Sequence, residues 1–281
     1  MDCTKKESKK IKQYIYVPIQ MIVFLYLATM EDLNALHYAI PIGSSEWIGL
    51  NLGLVIAFVA VFTASYKASD KRLNAIAWTL AILIGGNHIA GHIEALYNGV
   101  WEAKTHLPFH LCSFSAILSV LTLIMRKQWM YEFLIFWSAG AVHAFITPEI
   151  TDGHTTFNLF EFGIAHGGII ITGFFATLKL KFRPRDRSYW KVFLYTQLTL
   201  PVIGLINYLI GSNYMYIAQK PNANNPMIIG EWPWYIIGLE FIVLVHFIAF
   251  YWIHRRISSV HWNLENQSGS NELQSTHKSV D

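Results

Sequence analysis

Seven stretches of this chain, 46–66, 73–97, 107–125, 130–148, 157–180, 189–211 and 232–254, are apolar over nearly their whole length. Each approaches the roughly 20 residues that an α-helix needs to cross a bilayer. One soluble core cannot hide so many segments of that length. In hydrocarbon the backbone must satisfy its own hydrogen bonds, so each stretch is predicted to be a helix. The fold class that follows is all-α, a polytopic transmembrane bundle of seven core helices. The composition agrees, because 53% of the 281 residues are hydrophobic and only 14% are charged. An eighth candidate, 14–30, is marginal at 17 residues.

Charge orients the bundle. With loops 67–72, 126–129 and 179–191 and both tails on the cytoplasmic side, 19 of the 21 Lys and Arg lie inside, which is the bias that membrane topology follows. Only Lys104 and Lys220 remain outside, and this arrangement requires 14–30 to cross. If that segment lay flat instead, the split would be 14 inside to 7 outside, in the same sense. The expectation is a multi-pass protein of the cell membrane with both termini in the cytoplasm. Pro18 and Gln20 interrupt the first apolar run and no small-residue site follows it, so it does not read as a cleavable signal peptide. The organisation expected is a basic tail over 1–13, an additional helix and linker over 14–35, the seven-helix domain over 40–254, and a polar, aperiodic tail over 257–281 that reads as disordered. The inner cluster Lys179, Lys181, Arg183, Arg185, Arg187 and Lys191 reads as a topology signal that also meets anionic lipid. No nucleic-acid partner is expected.

An α-helix rises about 1.5 Å per residue, so distance from a helix end gives depth. Cys112 lies five residues below the outer end of the third core helix, His143 five below that of the fourth, and His92 and His88 five and nine below that of the second. His166 is nine below the outer start of the fifth helix, with Glu161 four below it; Asn207 and Glu240 sit at similar levels in the sixth and seventh, and Glu46 opens the first. Eight of the twelve histidines (His37, His88, His92, His106, His110, His143, His154 and His166) fall in the outer half or its loops. Ionisable groups inside a membrane are costly and face a bundle interior or a wet cavity. A single one reads as an interhelical hydrogen bond; eight at one end point to a polar cavity.

Cys112, in Leu107-Pro108-Phe109-His110-Leu111-Cys112, is one of two cysteines, and the other, Cys3, lies on the opposite side of the membrane. A buried free cysteine is usually a small hydrophobe. Near a helix N-terminus and beside a histidine it can instead become a nucleophile. Pro108 fits the first turn of the third helix, which sets Cys112 little more than a turn in. A base must come from another helix, and His166 and His143 have compatible depth. His110 is a poorer base, because residues two apart on a helix diverge. Gly167-Gly168 after His166 fits close approach of a neighbouring helix, or of an acyl chain. His88 and His92 share a helix face at i and i+4, a spacing that can hold a metal. The 20-residue outer loop 212–231 is long for an unstructured connection, and its Lys220 could meet a lipid phosphate. Trp232-Pro233-Trp234-Tyr235 opens the seventh helix with interfacial aromatics.

Taken in order, Leu107 to Cys112, Thr147-Pro148, His166-Gly167-Gly168, Gly211-Ser212-Asn213-Tyr214-Met215-Tyr216 with Lys220-Pro221, and Trp232 to Tyr235 resemble the bacterial YwaF-type integral membrane proteins. Those in turn resemble the animal transmembrane protein 164 family. The resemblance covers roughly 40–254 and leaves out the first 35 or so residues. It implies an intramembrane phospholipid acyltransferase with a cysteine nucleophile and a histidine partner, which the motifs place at Cys112 and His166. The sequence departs from the pattern at Ser44-Ser45-Glu46-Trp47, where bacterial relatives carry histidine.

The mechanism expected is ping-pong transfer. His166 deprotonates Cys112, the thiolate takes an acyl group from a phospholipid as a thioester, and a lysophospholipid hydroxyl accepts it with His166 again as base. His110, His143, Asn207, Asn213, Tyr214, Lys220 and Glu240 are the expected substrate-binding residues, with Asn207, Asn213 or backbone amides as oxyanion donors. No cofactor is expected, and membrane phospholipids are the partners. One rival is a zinc-dependent lipid hydrolase using His88, His92 and a third histidine such as His143 or His166. The other is a non-enzymatic transporter or sensor that binds a small ligand in the cavity.

Overall fold

The structure, a computed structural model, describes residues 37–151, 153–222 and 225–278, with side chains described up to 259. The tail 1–13 and the segment 14–35, including the candidate eighth span, lie outside the described residues. Within them are seven helices: α1 (Ser45–Ala64), α2 (Asp70–Tyr97), α3 (Leu111–Met125), α4 (Gln128–Ile146), α5 (Thr156–Leu178), α6 (Ser188–Ile210) and α7 (Trp234–Lys278). Two short strands, β1 (Tyr38–Ala39) and β2 (Glu149–Ile150), pair antiparallel with Tyr38 opposite Ile150. A 3-10 turn covers Tyr214–Tyr216.

Six of these helices are long and apolar enough to cross a membrane, with the α7 span running over Trp234–Ser259. The exception is α3, which has 15 residues, so the span expected over 107–125 is corrected. Pro108 does not open the helix. The chain remains irregular from Trp101 to His110, and His110, extended at φ −73° and ψ 148°, is the N-cap. Helix α7 is described as far as Lys278, through the polar stretch that begins at 257. Polarity and lack of periodicity report on burial. Backbone preference is a separate matter, and Leu264, Glu265, Gln267, Glu272, Leu273 and Gln274 are good helix formers.

Helix α4 is central. Its Tyr131, Leu134, Ile135, Phe136 and Ala141 are completely buried, and it packs against α3, α5, α6 and α7. By contrast α1 has no buried residue, and its Leu52, Val55, Ile56 and Val59 face outward, as do Leu198, Val202, Leu205 and Leu209 of α6. Apolar rows this extensive need an apolar surrounding, which lipid supplies.

Gly168, in the glycine pair behind His166, brings two helices together. A Cβ on Gly168 would stand 2.6 Å from Ile84 Cγ1, and one on Gly167 would stand 3.5 Å from Leu54 Cδ1. Gly168 therefore serves close approach of α2 to α5, whereas a Cβ on Gly167 would meet α1 at ordinary van der Waals distance. Gly168→Val is expected to destabilise the bundle by about 1–3 kcal/mol through overpacking. A lowered midpoint in thermal unfolding of the detergent-solubilised protein would register it, and an unchanged midpoint would contradict the packing account.

At the end away from the long loops, the buried Glu132 carboxylate at the foot of α4 accepts from Arg185 Nη2 at 2.6 Å, from its Nε at 3.0 Å and from its backbone N–H at 2.8 Å. Arg255 pairs with Asp186. Arg185 of the basic cluster thus ties the 179–187 connection to α4, and Asp186 ties it to Arg255 of α7. His254, 1% exposed, lies 2.6 Å through Nδ1 from Thr177 Oγ1 and belongs to this packed end.

Candidate functional site

At the opposite end, which carries the connections 98–110, 147–155 and 211–233, α2 to α7 enclose a cavity of about 470 Å³. Seven histidines line it, His88, His92, His106, His110, His143, His166 and His246, together with Cys112, Glu94, Glu149, Glu161 and Glu240. No Lys or Arg is among its lining residues. Six of the eight histidines assigned to this level by depth are here. The other two serve the rim, where His37 Nδ1 is 2.7 Å from Glu149 and His154 Nε2 is 2.8 Å from Glu46. Glu46 thus engages a histidine even though histidine is absent from its own position.

Because α3 begins at Leu111, Cys112 is its second residue, closer to the helix start than the sequence suggests. The first N–H groups of a helix have no partner within it, and His110 does not cap these. Its Nδ1 instead accepts from the Met215 N–H at 3.3 Å. Leu111, Cys112 and Ser113 all line the cavity, and the positive end of the helix dipole acts within this first turn. The sulfur rests against α4 in the space that Gly140 leaves open, 3.7 Å from where a Cβ would stand.

The histidines have defined tautomers. A carbonyl only accepts, so His166 Nδ1, 2.9 Å from Phe162 O, carries the proton and leaves the lone pair on Nε2. His166 also packs on the Phe162 ring, with centroids 4.1 Å apart. By the same logic His246 Nδ1–H donates to Ile242 O at 2.7 Å, so its Nε2 accepts from His143 Nε2–H at 2.8 Å. His143 is then left with its lone pair on Nδ1. Sequence reasoning missed His246, which lies too far down α7 to join the histidines grouped by depth.

The model of the TMEM164 family matches residues 17–251. The chain belongs to the TMEM164 family. The match begins well before residue 40, so it takes in most of the 14–35 segment that the motifs left out. No curated protein and no solved structure matches the chain.

In this TMEM164-family protein the expected substrate-binding residues divide into two groups. His110, His143 and Glu240 line the cavity, and Glu240 accepts a hydrogen bond from Gln197. Asn207, Asn213, Tyr214 and Lys220 do not line it. Asn207 Oδ1 accepts from Ser212 Oγ at 2.7 Å and Tyr214 N–H at 2.9 Å, while Asn213 Oδ1 accepts from Gln219 N–H at 2.9 Å and its Nδ2 donates to Gln219 O at 2.8 Å. These side-chain amides build the loop. Lys220 Nζ is 2.7 Å from Glu231. Tyr214, fully buried, donates its hydroxyl to Ala103 O at 2.7 Å and accepts from Leu107 N–H at 2.8 Å. Tyr214→Phe would strand that amide and is expected to cost about 1–3 kcal/mol. Faster hydrogen exchange at Leu107 together with a lower unfolding midpoint would be the signature, and unchanged exchange would refute it.

His88 and His92 meet as the i, i+4 spacing requires, with ring centroids 5.1 Å apart. Trp101 Nε1–H donates to His92 Nδ1 at 3.1 Å, so the lone pair of neutral His92 is already engaged. Among the described residues no three His, Cys, Asp or Glu side chains converge as a metal-ligand set. Glu161 completes this side of the wall. Asn87 Nδ2 donates to its carbonyl at 3.1 Å, and its Oε1 stands 3.8 Å from where a Cβ on Gly91 would be.

Proposed function

We propose that this TMEM164-family membrane protein is an intramembrane acyltransferase that moves a fatty acyl group between phospholipids through a thioester on Cys112. The observation that carries this reading is the placement of Cys112. A thiol at the second residue of α3 borders the same cavity as the helix's free first-turn amides and as His166, whose Nε2 holds a lone pair. Nucleophile, base and oxyanion donors are the parts acyl transfer requires.

In the first half-reaction His166 Nε2 takes the thiol proton and the thiolate attacks the ester carbonyl. The amides of α3 hold the developing oxyanion. The C–O bond breaks, and His166 returns the proton to the departing lysophospholipid. In the second half a lysophospholipid hydroxyl attacks the thioester and gives its proton to a cavity imidazole, the C–S bond breaks, and the Cys112 sulfur recovers that proton. The excess of Lys and Arg at the opposite end supports an orientation with this cavity at the outer face of the membrane, where lipids are at hand as donors and cytoplasmic acyl-CoA is not.

The zinc-hydrolase alternative is less well supported, because His92 is committed to Trp101 and, among the described residues, no third ligand joins it. The binding-only alternative leaves the cysteine without a role. The decisive experiment incubates the purified protein in nanodiscs with acyl-labelled phospholipid and an unlabelled lysophospholipid. Label is expected on the Cys112 peptide, released by hydroxylamine, and then in the new phospholipid. Transfer without label on Cys112 would overturn the thioester, and saturable binding without transfer would favour the binding-only reading.

A further inference from the structure

Ping-pong transfer needs a base twice, once for the thiol and once for the acceptor hydroxyl. A single histidine can do both in turn, yet this cavity carries a second base that the Cys112 and His166 chemistry leaves unused. His143 and Gly140 are three residues apart on α4, so they share a helix face. Gly140 is where the Cys112 sulfur rests, which places His143 one turn along α4 from that sulfur, and its ring lines the same cavity. The hydrogen bonds from His143 Nε2 to His246 and from His246 Nδ1 to Ile242 O put the free lone pair on His143 Nδ1. An imidazole whose far nitrogen donates to a fixed acceptor is the arrangement that holds a general base in the required tautomer and orientation. Here the acceptor is a second imidazole.

We propose that His143, positioned by His246, is the base for the acceptor in the transfer half-reaction, an inference that rests on the acyltransferase reading. His143 Nδ1 takes the proton from the lysophospholipid hydroxyl as its oxygen attacks the thioester carbonyl. The positive charge that results is stabilised by the hydrogen bond to His246. Collapse of the tetrahedral intermediate breaks the C–S bond, and the Cys112 thiolate recovers the proton from His143. Atoms and protons balance without a further reagent. His143 is then a catalytic residue, and His246 is a positioning residue that acts through it.

An interhelical hydrogen bond between α4 and α7 would account for the pair equally well if it only held the bundle together, and the choice of variants separates the two roles. His143→Gln retains an amide N–H for His246 Nε2 but cannot take a proton. His246→Gln keeps an acceptor for His143 Nε2–H, whereas His246→Phe fills the space without one. The two half-reactions are followed separately in nanodiscs, as labelled Cys112 and as label in the product. His143→Gln is expected to form the acyl-enzyme at a near wild-type rate, to accumulate it, and to pass the acyl group on about 10²- to 10⁴-fold more slowly, the usual contribution of a general base. His246→Phe should show the same block, and His246→Gln should show much less of it. The acyl-enzyme that forms in these variants reports that they are folded. Wild-type transfer from the acyl-enzyme of His143→Gln, or equal loss of both half-reactions, would overturn the relay. Failure of the wild-type protein to acylate Cys112 would instead overturn the acyltransferase reading beneath it.

Discussion

Cys112→Ala is expected to lower phospholipid-to-lysophospholipid acyl transfer by about a thousandfold or more while leaving the protein folded. The effect on rate is large because nucleophilic catalysis divides a difficult displacement into two easier ones, and alanine removes the atom on which the intermediate forms. The effect on stability is small because Cys112 is only partly buried. Its sulfur fills the space over Gly140, and losing one such contact costs on the order of 1 kcal/mol. Cys112→Ser separates two contributions. Serine keeps the place at the second residue of α3, with the same amides and the same dipole, but its hydroxyl is far less acidic than a thiol. If the helix N-terminus and His166 activate a thiolate, serine should be nearly as inactive as alanine. Transfer assays normalised to the folded fraction from size-exclusion chromatography would decide this. Undiminished transfer by Cys112→Ala would remove the thioester from the mechanism.

The sequence made the helices legible and left the site half legible, for a physical reason. A membrane helix announces itself by length and apolarity, so six spans are found within a few residues of their ends. The third starts late because Pro108, which can open a helix, here lies in the irregular run that the Tyr214 hydroxyl fastens at Leu107. The pairing of Tyr38–Ala39 with Glu149–Ile150 is too short to leave a periodic trace. Depth along a helix can be counted, and counting gathers His88, His92, His143, His166 and Cys112 correctly at one level. The direction in which a side chain points around the helix cannot be counted the same way. Asn207 and Asn213 have suitable depth or loop position, yet their amides are spent on the backbone of the 212–219 segment. His246 was passed over because it stands 14 residues below the predicted start of its span at 232. Its partner His143, five residues below the end of another span, is equally unremarkable until the two helices are laid side by side.

The same distinction explains why a short α3 suits the chemistry proposed here. A helix that began at Leu107 would bury its first amides in the 107–110 turn and carry Cys112 beyond them. Beginning at Leu111 instead, it presents its uncapped end to the cavity and brings the thiol within the first turn, where both the free N–H groups and the dipole act. Tyr214 and His110 hold that start in place, the first by fastening Leu107 and the second by accepting from Met215 rather than capping the helix. Tyr214, which sequence reading assigned to substrate, is instead bonded to the segment that leads into α3.

His166→Ala is expected to reduce transfer by about 10²- to 10⁴-fold, and the double variant with Cys112→Ala should be no slower than the slower of the two single variants. Groups that act as one unit are strongly non-additive, since once either is gone the other has nothing to act on. Independent contributions would multiply, so the double variant separates a dyad from two unrelated cavity residues. The alternative that His166 merely packs the bundle makes a different prediction. His166 borders the cavity, and Phe162 O, its hydrogen-bond partner, is a carbonyl four residues back in the same helix. Alanine at 166 therefore creates no sealed void and strands no buried donor, and the unfolding midpoint should barely move. His166→Gln refines the test, because glutamine can keep polar contact in the cavity but cannot shuttle a proton at neutral pH. Loss of acylation at Cys112 in both His166 variants, with unchanged thermal unfolding, is the result expected of the base. A His166→Gln protein that acylates Cys112 at the wild-type rate would transfer that role to His143, which stands one turn along α4 from Gly140, where the sulfur rests, and the relay would then serve the first half-reaction instead of the second.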